Sequence, residues 1–164
     1  MSTLKVNALQ DTSGNNLSRV LQIVTAQKLD AASVNSSSFG EIATDLRCAI
    51  TPLFSTSKLL VQANLYCTMS SNSSVGMFQM RKDGSIFNSP TNFESANDDG
   101  HATVYTNANF MGTTLIQTIE TAGNTTARTY SPYWRTISGT MYINIWNNTD
   151  YRGISCISVM EIAQ

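Results

Sequence analysis

From Lys58 to Met69 the chain reads KLLVQANLYCTM, and Leu59, Val61, Ala63, Leu65, Cys67 and Met69 fall on alternate positions, while Gln62, Asn64 and Thr68 fall between them. Successive side chains of a strand point to opposite faces, so this period of two predicts a long strand with one face in a core. Nothing longer than about ten residues elsewhere keeps a helical period. The stretch GTMYINIWNN repeats the alternation, with Met141, Ile143 and Ile145 set against Tyr142, Asn144 and Trp146. Both of its faces are covered by something, which points to a second interface there.

Further strands are expected in VLQIVTA from Val20, GEIATDLRCAI from Gly40, SVGMFQMR from Ser74 and SIFN from Ser85. ATVYTNANF from Ala102, TTLIQTIET from Thr113, TTARTYSPYW from Thr125 and ISCISVMEI from Ile154 complete the set. KDG at residues 82–84 and AGN at residues 122–124 read as hairpin turns. The three prolines, Pro52, Pro90 and Pro132, read as strand boundaries or loops. Composition agrees: 20 Ser, 20 Thr and 15 Asn supply turns and, through Thr, strands, while charged residues are only 13%. Short strands at this spacing favour an all-β fold, an antiparallel β-sandwich of jelly-roll type, over parallel crossovers.

The last strand runs almost to Gln164. It carries Ile154, Cys156, Met160 and Ile162 on one face and Ile157 and Val159 on the other. A strand apolar on both sides is central in a sandwich or lies between the sandwich and a neighbouring subunit. With the two-faced strand above, this makes Tyr142, Trp146, Ile157 and Val159 candidate subunit contacts, because large exposed apolar patches are uncommon on soluble monomers. Residues 1–18 offer only Leu4, Val6 and Leu9 as sizeable apolar groups before the turn-forming DTSGNN. They read as a short extended arm that docks on a partner, ahead of one sandwich domain at residues 19–164.

Ten Lys and Arg are scattered singly apart from Arg81-Lys82, the formal net charge is −1, and no basic stripe exists to hold a nucleic acid. The sequence shows neither a signal peptide nor a membrane-spanning run. Cys48, Cys67 and Cys156 have no C-x-x-C spacing and read as buried reduced thiols on strands, although a Cys48–Cys156 or Cys67–Cys156 bridge is open.

The opening MSTLKVNALQDTSGNNL, then VLQIVTA, AITPLFSTSKLLVQANL and the terminal SVMEIAQ resemble small tail-fibre and virion-surface proteins of tailed bacteriophages, marine and cyanobacterial phages among them. The shared features are the opening at residues 3–7 and 9–15, and the strand entry at Thr51-Pro52 and residues 57–61. The match covers both ends and one internal strand. The resemblance implies a trimeric β-sandwich on the outside of a particle, with its N-terminal segment attached to other virion proteins of capsid or tail. It implies a homotrimer acting as a short tail fibre in host attachment or as a capsid decoration protein. The chain has no heptad stalk or collagen-like shaft between arm and sandwich, which leaves tail and capsid both open.

Catalytic chemistry is sparse. The single histidine, His101, stands near Glu94, Asp98 and Asp99, but NDDG lacks the ligand spacing of a calcium loop. No nucleophile elbow, zinc-protease, phosphate-loop or dinucleotide motif is present, so the reading is non-enzymatic, with no catalytic residue, metal or cofactor. RTYSPYWRT sets Tyr130, Tyr133 and Trp134 between two arginines. These rings would either pack in the sandwich or stack on a host-surface glycan, and the second option keeps a soluble lectin-like module as the alternative reading.

Overall fold

The computed structural model describes residues 19–86, 100–104, 111–146 and 152–164. The candidate arm residues Leu4, Val6 and Leu9, the Glu94, Asp98 and Asp99 loop and Pro90 lie outside them. The described chain is an antiparallel β-sandwich of two six-stranded sheets. The first sheet holds β1 (Val20–Lys28), β2 (Ala32–Val34), β5 (Lys58–Met69), β9 (Gly112–Thr121), β11 (Met141–Ile143) and β12 (Ser155–Ile162). The second holds β3 (Gly40–Glu41), β4 (Cys48–Ile50), β6 (Val75–Lys82), β7 (Ser85–Ile86), β8 (Ala102–Val104) and β10 (Arg128–Ser138).

β5 is the organising strand, and its six alternating apolar residues are all fully buried. β9 lies along one side of it from Lys58 to Cys67. The other side is shared, with β12 beside residues 58–64 and β11 beside residues 67–69. Phe78 and Met80 of β6, with Tyr130 and Trp134 of β10, close the core from the opposite sheet. Ile157 and Val159 also belong to this core, with no exposed surface. They are the inward face of β12 and so cannot be subunit contacts; the expectation fails because burial inside one chain and burial between chains look alike in an alternating pattern.

Four local expectations change. GEIATDLRCAI is not one strand, because a 3₁₀ turn at Thr44–Leu46 separates β3 from β4 and drops Leu46 into the core. AGN is no hairpin: β9 pairs with β5 and β10 with β6, so residues 122–124 carry the chain from one sheet to the other through Gly123 at φ 70°. Pro132 stands inside β10, not at its boundary. Its carbonyl accepts from the Ile42 amide on the side where β3 has ended and β4 has not begun, so the missing N–H costs no bond to β6. GTMYINIWNN stops as a strand at Ile143, because Asn144 adopts φ 60° and its buried amide group donates to the carbonyls of Lys28 and Asp30. The KDG hairpin is as expected, a two-residue turn with Asp83 and Gly84 both at positive φ.

Candidate interaction surfaces

The register of the first sheet aligns outward side chains into lateral rows across β1, β12, β5 and β9. One row is Ile23, Met160, Leu60 and Ile119. The row towards the chain's N-terminal entry is Val20, Ile162, Lys58 and Thr121. The two rows on the other side are Thr25, Ser158, Gln62 and Gln117, then Gln27, Cys156, Asn64 and Leu115. Of sixteen side chains only Lys58 is charged, and its ammonium donates to the Thr121 hydroxyl at 2.7 Å. Ile23 is 56% exposed and Ile119 53%. Sequence reasoning placed Met160 and Ile162 on one face but missed Ile23, Leu60 and Ile119. The signal was an apolar residue at an outward-facing position of each strand, and only the register lines these up.

At the end of the sandwich beside Val20, Leu53 and Phe54 are held in the open, each more than half exposed. Their positions are set by the fully buried carboxylate of Glu161, which accepts from the Leu53 amide at 2.9 Å, the Phe54 amide at 3.1 Å and the Gln22 side chain at 2.6 Å. Gln22 also donates to the Thr51 carbonyl. The first strand begins at this same end, where the Ala163 amide donates to the Arg19 carbonyl.

The second sheet presents a different face. RTYSPYWRT lies within β10, so its aromatic rings split by alternation. Tyr130 and Trp134 point into the core, 0% and 4% exposed, and neither can meet a sugar. Burial and, secondarily, the neighbouring Glu120 carboxylate push the Tyr130 phenol upward. Tyr133 alone faces outward. The Arg81 guanidinium sits 4.2 Å from its ring centroid, fixed by the Gln79 side-chain oxygen at 2.8 Å. Beside it opens a hollow of about 310 Å³ lined by Tyr133, Ser131, Thr129, the Asp83-Gly84 turn and a Glu41–Arg47 pair. Arg47 donates both fork nitrogens to Glu41, at 2.7 and 2.6 Å, and this guanidinium holds the Glu41 carboxyl below its ordinary range. Tyr142 and Trp146 are half-buried.

The three cysteines lie on strands and are free. Cys48 and Cys67 are buried, and burial pushes Cys48 up to about 11 and raises Cys67 as well. Cys156 departs from the expectation: it is exposed, because it falls on the outward face of β12. In the chain diluted to nanomolar concentration, one thiol in three is therefore expected to react with a maleimide before unfolding, and mass spectrometry should place the adduct on Cys156. A native adduct on Cys48 or Cys67 would contradict the burial.

His101 is half-buried at the rim of the second sheet, where its ring nitrogen Nδ1 accepts from the Met80 amide at 3.2 Å. Among the described residues no three His, Cys, Asp or Glu side chains gather as metal ligands. No helix of the described chain is long and apolar enough to cross a membrane. No family model and no curated protein matches the chain. Among solved structures it is similar to a chain in "Structure of infectious bursal disease virus Gx strain", at 11% identity and a TM-score of 0.38, over 98% of this chain and 42% of that one. The chain thus spans less than half of that protein, and a likeness so slight bears on neither ancestry nor function.

Proposed function

We propose that the chain is a non-enzymatic structural protein of a tailed-bacteriophage virion, a homotrimeric sandwich module attached to the particle exterior through residues 1–18. It serves there as a short tail fibre in host attachment or as a capsid decoration protein. The observation that carries the reading is the nearly uncharged outer face of the first sheet, crossed by an apolar row, which suits permanent contact with other protein better than free solution. The resemblance of the opening segment to virion-surface proteins supplies the setting. Immunogold labelling of intact particles tests it: gold at the tail or over the shell supports the virion role and separates the two locations, while unlabelled particles overturn it.

The arm makes a separate prediction. Deleting residues 1–18 is expected to leave melting temperature and oligomeric mass nearly unchanged while abolishing incorporation into particles. Loss of folding on deletion would contradict an attachment role. The lectin-like reading is favoured by one observation, the hollow at Tyr133 with its hydroxyl, carboxylate and guanidinium lining. A glycan array that binds the wild type and loses signal with Tyr133→Ala would bring that reading forward.

A further inference from the structure

We propose that the outer face of the first sheet is covered in solution by a second copy of this chain. The inference rests on the self-association proposed above and names the surface that performs it. Ile23, Met160, Leu60 and Ile119 lie side by side on four neighbouring strands, so their apolar surface is continuous and not scattered. Strands about 4.8 Å apart and rows about 7 Å apart make the sixteen-residue face roughly 19 Å by 27 Å, or about 500 Å² from one copy. Matched by an equal area on its partner, that totals about 1,000 Å², where specific interfaces begin.

Charge selects the occupant. The face carries no acidic side chain, and its one cation, Lys58, is engaged with Thr121. A partner that docks through charged groups would find no counter-charge here, and its desolvated ions would be left unpaired. Another copy of the chain has few charges overall and brings few of them to this face. The same face holds the exposed thiol of Cys156, two rows from the apolar one, which makes occupancy readable without any substitution.

Light scattering of the full chain at micromolar concentration is expected to give a mass of two or three times 17.9 kDa. Ile23→Lys with Ile119→Lys, at two positions more than half exposed, is expected to weaken association by at least about 100-fold and return the monomer. Ile137→Lys, at a position equally exposed on the second sheet, is expected to keep the wild-type mass. Should the double variant fail to fold, maleimide labelling of wild-type Cys156 gives the same answer: its rate is expected to fall as protein concentration rises. A monomeric wild type with a concentration-independent rate overturns the proposal and the self-association beneath it. An oligomer that survives the lysines, with Cys156 equally reactive at all concentrations, overturns this face alone. The particle-labelling experiment remains an independent measure of the virion role.

Discussion

Glu161→Ala is expected to lower the unfolding free energy by about 3–5 kcal/mol, because it removes the charged acceptor that three partly buried donors now share. The Leu53 and Phe54 amides and the Gln22 side chain all donate to that group, which is itself without exposed surface. In a chain of this size the loss corresponds to a fall in melting temperature of roughly 6–20 °C, readable by circular dichroism or calorimetry. A change under 1 kcal/mol in a urea titration would show that water reaches the vacated site and satisfies the donors. The effect also has a pH signature. Burial alone would raise the Glu161 carboxyl, but the hydrogen bonds from Gln22, Leu53 and Phe54 outweigh it and hold the group below its ordinary 4.5. A carboxyl depressed in the folded state stabilises above its unfolded pKa, and that stability is lost as pH falls through the folded value. The gap between wild type and variant is therefore expected to be full at pH 6 and to narrow below about pH 4.5.

Glu120→Ala is expected to cost a similar amount, about 3–5 kcal/mol, by leaving a buried guanidinium without an anion. Glu120 projects from β9 of the first sheet to three groups of the second: Lys82 at 2.6 Å, Arg128 at 3.4 Å and the Tyr130 hydroxyl. Arg128 is 7% exposed, and its remaining contacts are the carbonyls of Asn124 and Thr126 and the Asn124 side-chain oxygen. A double variant, Glu120→Ala with Arg128→Met, removes the stranded charge and is expected to be more stable than the single variant. If the two unfold at the same urea concentration, the penalty lies in lost packing and not in an uncompensated charge.

These two carboxylates show where sequence reasoning stops. Each sits in an alternating strand as one acidic residue among eleven. Nothing local marks Glu161 as the anchor of residues 51–54, about a hundred positions away, or Glu120 as a bridge between sheets. The glycan candidates divide in the same way. Alternation within β10 already separated Tyr133 from Tyr130 and Trp134, but which set faced inward depended on the sheet stacked against it.

The sequence by itself determined that this chain folds as short antiparallel strands, that β5 buries one face, and that Asp83-Gly84 turns a hairpin. Those properties follow from side-chain period and from backbone angles that few residues accept, both of which act over a handful of positions. Only the tertiary structure decided that Ile157 and Val159 are core, that Cys156 is exposed, and that one apolar group from each of four strands forms a single row. Register and sheet stacking are set by pairing between residues far apart in the chain, so an apolar residue at an outward-facing position acquires meaning only when its neighbours across the sheet are known.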